Sequence, residues 1–578
     1  MKKRFLLLFA AIFISVNISA QVYSAQEAIP AGHWIYDALY CLTLEQKKLS
    51  TLDNAPLTVA ELYLNFQQID KDSLSEDGKA LYEKTENFFD RKKFLFDFNG
   101  AKFTVNAILN PVGVYKTNKD VDWSYATSYT DDSDKYVTTN SVGTVYTQPL
   151  ATFPFILDFG EIVYISVDPY AGAGPFWALT SDNYATNIPT GSNGGEFFMW
   201  PFNGYASVSK TFNTWGIGLN VGRQGLEVGR SATGSLIYDS SFQTDFYAQL
   251  NVYSPRLKYT MDVAQIDQQR YFYLHSAEIV PFNWIKLGIV EGTLINSSFE
   301  LRFLNPLLFM HTFSGWVQYA NMADSNYKQN YGEYNYCAYF GLTFDITPCP
   351  NLRVYGLYAQ NEIQSLVELI DDYSRSIPDS LGGQLGIEYT IPIWNGFLKS
   401  NLEAVYTTPF CYLKQTSSAS LMRLQIDSIG SYGLGTIGSW MGSQFGPDAL
   451  AGLLSAEYNN PGKMKVGLKY LFVAHGVNSF ALFNKTRRLD GNDYESYYPS
   501  AMYLQGEDAE KTKAMRTYAL TPTIQYTNQI TANFNYTLFS KLELGTELSY
   551  IFIFNNKAKE GVFAHGLELS LSAKYTLF

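Results

Sequence analysis

The sequence predicts an all-β transmembrane barrel of about sixteen to eighteen antiparallel strands, with eighteen preferred, preceded by a small α-helical domain. Three observations predict it. Segments of period-two alternation recur from Phe94 to the C-terminus, separated by turns rich in Gly, Pro, Asn and Asp. The chain carries 44 Tyr, 40 Phe and 9 Trp beside few charged residues, the composition of a barrel with aromatic girdles at its membrane interfaces. Beyond the N-terminal leader, no run approaches the ~18 continuous apolar residues that a helical span requires.

The first element is a secretory signal. Lys2, Lys3 and Arg4 precede the apolar run Phe5 to Val16, and small residues offer cleavage after Ala20 or Ala25, the first preferred. No cysteine lies near either site, so no lipid anchor is expected. Residues 21–93 follow as a helical domain, expected in the periplasm. Ile35, Ala38, Leu39 and Leu42 fall at i, i+3, i+4 and i+7 on one helix face. Thr58 and Glu61 form a reciprocal capping box for a second helix starting at Val59, and a third runs from about Glu76 to Phe89.

From Phe94 the period changes to two. Trp215, Ile217, Leu219 and Val221 alternate with small or polar residues, as do Phe246, Ala248, Leu250 and Val252, and Met464, Val466, Leu468, Tyr470 and Phe472. Alternation alone also describes a soluble sandwich. Segment length decides, because the runs are about as long as the 9–11 residues that cross a bilayer at a tilt. Their other face of Asn, Thr, Gln, Lys and Glu suits a wet lumen. Polar stretches near 128–141, 171–195, 362–383, 414–443 and 484–515 are then outer loops. The tight turns at Tyr253-Ser254-Pro255-Arg256 and Asn459-Asn460-Pro461-Gly462 face the periplasm. The last strand is among the cleanest, with Leu567, Leu569, Leu571, Ala573, Tyr575 and Leu577 on one face and Phe578 in phase with the other.

The formal charge of −12 argues against a nucleic-acid partner, which needs a concentrated basic surface. An acidic polysaccharide would have to be held by local arginines. Cys41, Cys337, Cys349 and Cys411 are too scattered for a disulfide framework or a zinc site, and at most one disulfide is expected. No cofactor or metal is implied, and isolated His275, His311, His475 and His565 read as structural. Catalysis is not expected: no Gly-x-Ser-x-Gly elbow occurs, and adjacent His275 and Ser276 point to opposite faces of a strand.

Several short motifs follow one another along the chain: Gly32-His33-Trp34-Ile35-Tyr36, Ala55-Pro56-Leu57-Thr58 with Ala60-Glu61, and Gly222-Arg223-Gln224-Gly225-Leu226-Glu227-Val228-Gly229 before Gly234-Ser235-Leu236. Leu304-Asn305-Pro306, Phe445-Gly446-Pro447-Asp448-Ala449 and Ala474-His475-Gly476 complete the set. Together, and in this order, they resemble the capsule-assembly Wzi family of outer-membrane barrels. The family's Gly-Arg motif commonly carries an aromatic near its end, where this chain has Leu226, Glu227 and Val228. The resemblance implies an outer-membrane, lectin-like barrel that attaches or organises surface polysaccharide without catalysis. The leader also resembles one degenerate S-layer homology repeat, which implies peptidoglycan as a partner and contact through His33, Trp34 and Tyr36.

Candidate polysaccharide contacts are Arg223 and Arg230, read as lying in a Gly-rich turn after a strand, where guanidinium groups fork onto carboxylates or sugar hydroxyls. The competing explanation is that Arg223 pairs with Glu227 or a lumen carboxylate and holds the wall together. Tyr494, Tyr497, Tyr498 and Tyr503 offer stacking faces in the longest loop. Arg302 is expected to alternate into the lumen beside Glu300. Three functions remain open: a polysaccharide-binding barrel, a porin or exporter, and a tether between outer membrane and cell wall. The chain is expected to meet outer-membrane lipid as a monomer.

Overall fold

The structure is a computed structural model. It describes residues 24–90, 96–98, 101–119, 121, 127–130, 145–160, 162–172, 177–178, 183–189, 196–242, 244–267, 269–315, 335–363, 379–414, 419–428, 434–476 and 518–577. No helix among these is long and apolar enough to cross a membrane.

Period-two alternation becomes a closed antiparallel barrel of 18 strands. Strand β1 (residues 101–116) is broken into three short pieces, and β2 (151–158) into two. Then come β3 (Tyr164–Gly172), β4 (Glu196–Phe212), β5 (Trp215–Gln224), β6 (Asp245–Tyr253), β7 (Leu257–Asp267), β8 (Arg270–Phe282) and β9 (Ile285–Asn296). The wall continues through β10 (Asn335–Ile346), β11 (Leu352–Glu362), β12 (Ser380–Ile393), β13 (Gly396–Thr407), β14 (Ala449–Asn460) and β15 (Met464–His475). It ends with β16 (Gln525–Leu538), β17 (Leu542–Phe554) and β18 (Phe563–Thr576). Tyr575 of β18 pairs with Leu109 of β1, and Leu571 with Gly113, so no long edge remains unpaired. Phe578 lies outside the described residues.

The register sets which side chains meet lipid. Leu385 (60 % exposed), Leu454, Leu468 and Leu571 all point outward, an apolar belt that water would not tolerate at this extent. Inward, polar groups bond across strands: Ser207 Oγ donates to Asn220 at 2.5 Å, Asn220 to Gln249 at 3.2 Å, and Thr260 to Asn251 at 2.8 Å.

The tight turns 253–257, 282–285, 393–396 and 460–464 lie at one end of the barrel. At the other end, part of the expected loop 414–443 is ordered as a hairpin, Met422–Ser428 with Leu434–Trp440, paired to Thr127–Thr130. The segment after β9 departs from expectation. Glu300 and Arg302 do not alternate along a strand. They pair with each other at 2.9 Å in a one-turn helix. This segment folds back over the outside of the wall, where Phe303 and Met310 cover the outward-facing Tyr273 and Ile295. All four cysteines are free.

Candidate functional site

The leader holds three helices, α1 (Trp34–Glu45), α2 (Val59–Phe66) and α3 (Glu76–Phe89). Their caps follow local sequence. Nδ1 of His33 accepts from Ile35 N–H at 3.3 Å, Thr58 Oγ1 from Glu61 N–H at 3.2 Å, and Ser75 Oγ from Gly78 N–H at 3.0 Å. The capping box at Thr58 is one-sided, because the Glu61 carboxylate turns away to Lys258 of β7 at 2.9 Å.

That ion pair belongs to a larger pattern: the leader sits in the short-turn mouth of the barrel. Ile35, Ala38, Leu39 and Leu42 are fully buried, and so are Tyr40 and Cys41 on the opposite side of α1, so the helix is enclosed all round. The leader core includes Phe397 of β13. Backbone bonds tie it to the turns, with Leu49 N–H donating to Asn283 and Asn351 N–H to Leu44, each at 2.8 Å.

Charges organise the seam. Asp37 of α1 meets Arg230 at 2.5 Å and Lys399 of β13 at 2.8 Å. Arg230 also meets Glu388 of β12 at 3.1 Å and lies 4.0 Å from the centre of the Tyr40 ring. Lys286 of β9 binds Asp53 of the leader and Asp345 of β10, and Arg353 of β11 joins Asp345 at 2.7 Å. Tyr40 donates to Asp53. Four carboxylates thus interleave with four cations, each charge out of water but paired. Burial opposes the charged form of Asp37 and Asp53, yet Lys399 and Arg230 beside the first, and Lys286 and Arg353 beside the second, hold both well below the usual carboxylate range. Glu227 moves the other way, raised by burial and by Asp239, with Arg230 only partly opposing.

The rest of the lumen is filled from above. The loop after β5 folds inward, and its Leu226, Val228, Leu236, Ile237 and Tyr238 pack with Phe272, Leu294, Tyr339 and Leu357 of the wall. Its strand Glu227–Val228 pairs with leader residues Ala55 and Asn54. From the long-loop end, Tyr412 donates to Leu236 O at 2.6 Å, and Arg423 of the hairpin meets Asp245 at 2.8 Å.

Among the described residues, a chamber of about 1000 Å³ stays open along β1 to β5, between that wall and the leader. Its lining includes Tyr164, Tyr170, Tyr205, Asp168 and Asn203. Two smaller cavities adjoin it. One, of about 120 Å³, shares Ala31 and runs beside Asp37 and Arg230. The other, of about 320 Å³, shares Thr147 and Ser241 and reaches Trp440 and Arg423.

This fold can be compared with known proteins. No family model matches the chain, and no curated protein matches it in sequence. Among solved structures it is similar to Wzi of Escherichia coli, described as an outer-membrane protein involved in group 1 capsule assembly and a carbohydrate-binding β-barrel. The TM-score is 0.53 at 11 % identity, over 94 % of this chain and 98 % of that one. By fold, the chain resembles Wzi. Weaker likenesses, at TM-scores of 0.35 and 0.30, are to OprD of Pseudomonas aeruginosa (9 % identity, 84 % and 96 % covered) and the DcaP channel of Acinetobacter baumannii (11 % identity, 84 % and 100 % covered).

The candidate residues of this Wzi-like barrel scatter. Arg223 is the last but one residue of β5 and not part of a turn. It shares the outward phase of Leu219 and Val221, donates to Thr244 at 3.0 Å and lies over the ring of outward Phe246. Arg230 sits on the inner loop, in the leader seam. Tyr36 is buried, its hydroxyl donating to Ile29 O at 2.7 Å and accepting from Leu57 N–H at 2.9 Å. His33 and Trp34 are half-buried against Phe88, with ring centres at 5.3 and 5.6 Å. Tyr494, Tyr497, Tyr498 and Tyr503 lie outside the described residues.

Sequence reading missed the chamber and the central roles of Asp37, Asp53, Lys286 and Arg353. A signal existed for the last two: Lys and Arg at inward positions of alternating strands call for buried partners.

Proposed function

We propose that the chain is a non-enzymatic barrel of a bacterial outer membrane that binds, attaches or organises surface polysaccharide. The observation that carries this is occlusion: the leader and the two infolded loops occupy the lumen that a porin would keep open. Among the described residues a chamber of the size of a ligand pocket stays open, its lining mixing hydroxyl, amide and carboxylate groups with apolar ones. The carbohydrate binding described for Wzi supports the same reading. The leader then faces the periplasm with the tight turns, and the barrel acts as a monomer in lipid. A porin or exporter, the alternative, requires a wide continuous lumen.

Two measurements test this. In planar bilayers the purified protein is expected to show no stable current of porin size, and such a current would return the porin reading. In cells, deletion of the gene is expected to release surface glycan into the medium, and unchanged retention would end the polysaccharide reading.

A further inference from the structure

The polysaccharide reading leaves the charge of the glycan undetermined, and the chamber lining bears on it. Strand β3 turns Tyr164, Ser166, Asp168 and Tyr170 inward, because these residues pair in register with inward positions of β4: Tyr164 with Ser207, Ser166 with Tyr205 and Asp168 with Asn203. Ser166, Asn203, Thr104 and Asn106 supply hydroxyl and amide groups along the same wall. Tyr164 and Tyr205 stack with ring centres 6.0 Å apart, giving an aromatic edge. Such a wall sets hydrogen-bonding groups beside aromatic ones, the two features a sugar ring engages.

The charged groups on the lining are both carboxylates. Glu27 and Asp168 reach the chamber, and among the described residues that line it there is no Lys, Arg or His. The Asp168 carboxylate makes no ion pair or side-chain hydrogen bond among the described residues. In contrast, several arginines and lysines that enter the lumen are committed elsewhere. Arg230 is held by Asp37 and Glu388, Arg353 by Asp345, Lys286 by Asp53 and Asp345, and Arg423 by Asp245. A uronate or pyruvylated sugar placed here would lose water and gain a carboxylate neighbour, without a cation on the described lining to offset either cost.

We propose that this chamber is a saccharide site selective for uncharged or amine-bearing sugars and closed to acidic ones, with Asp168 as the group that sets the selectivity. The proposal rests on the polysaccharide reading. An uncharged ring uses the hydroxyl and amide wall, and a protonated amine adds a charge-assisted bond to Asp168. The cavity that reaches Trp440 adjoins the chamber at Thr147 and Ser241.

The test uses the full chain in detergent micelles, with three hexasaccharide probes titrated by calorimetry: a maltohexaose, a chitosan hexamer and a hexagalacturonate. The expected result is binding of the first two and at least tenfold weaker binding of the acidic one. Asp168→Asn is expected to weaken the chitosan probe about tenfold and leave maltohexaose nearly unchanged, and Asp168→Lys to admit the galacturonate. Ser166→Trp narrows the chamber, and Asn203→Trp does so from the neighbouring strand; either, when it still migrates as a folded barrel in an unheated gel, is expected to weaken binding of every probe at least tenfold. Galacturonate binding as tight as maltohexaose overturns the selectivity. Unchanged binding in both folded tryptophan variants overturns the site while leaving the glycan reading intact. No binding of any probe by the wild-type chain counts against the glycan reading itself.

Discussion

Arg230 stands 2.5 Å from Asp37, linking the loop after the fifth strand to the first leader helix, and the same guanidinium reaches Glu388 of the wall at 3.1 Å. One side chain therefore joins leader, lumen loop and barrel. Replacing it by Ala leaves two buried carboxylates short of a cation, although Lys399 still serves Asp37 and Arg353 still serves Glu388. The expected loss is about 3 kcal/mol, at the lower end for a broken buried pair. Arg230→Lys keeps the charge but cannot fork onto both acids, so it falls between. Thermal unfolding in detergent and protease cleavage of the leader measure both, and an Arg230→Ala barrel as stable as wild type contradicts the linkage.

Leader docking depends on pH in two directions. Asp37 and Asp53 have lowered folded values, so their stabilisation is present above the ordinary carboxylate range near ~4 and is lost as pH falls below it. Glu227 and Glu61 have raised folded values, the second despite Lys258, so their ionised forms weaken docking at neutral pH and the strain is relieved as pH drops toward ~4.3. Protease resistance of the leader should therefore peak in mildly acidic buffer and collapse below about pH 4. A profile flat from pH 8 to 3 rejects this assignment of charges.

Gly446 is required by its turn. Its φ is +70°, and a Cβ there would lie 2.2 Å from Trp440 Nε1. Gly446→Ala is expected to cost about 1–3 kcal/mol from overpacking, with added backbone strain. It should also loosen His475, whose Nε2 lies 3.1 Å from Phe445 O. Chemical denaturation checks the stability, and a neutral effect would mean that the turn adapts.

Cell-wall attachment by the leader is a separate proposal, carried by His33 and Trp34, since Tyr36 is buried. The full chain is expected to sediment with purified peptidoglycan and the His33→Ala, Trp34→Ala double variant to stay in solution. Equal sedimentation of both ends the proposal. Trp34→Ala alone also removes an edge-to-face contact with Phe88, a loss of about 0.5–1.5 kcal/mol beyond area, which unfolding measurements separate from binding.

The scattered motifs converge in space. Asn54 and Ala55 pair with Val228 and Glu227, and Gly476 N–H donates to Asp448 O at 2.8 Å. Their spacing along the chain shows none of this, because the contacts cross 174, 172 or 28 positions and depend on how loops enter the lumen. The candidate site was less legible than the fold. Arg223 and Arg230 sit seven residues apart in one Gly-rich run, yet one faces outward and the other inward, since the strand ends between them.

The sequence by itself determined the elements: the alternation that becomes the wall, the three leader helices with the cap at Thr58, and the apolar face turned to lipid. These are local, set by side-chain period and by the backbone groups at each helix start. Only the tertiary structure decided that the leader enters the barrel mouth, that Glu61 leaves its capping box for Lys258, and that Asp168 lines a chamber without a charged partner among the described residues. Those outcomes follow from burial, because a charge taken out of water must find its partner wherever the closed wall brings one within reach.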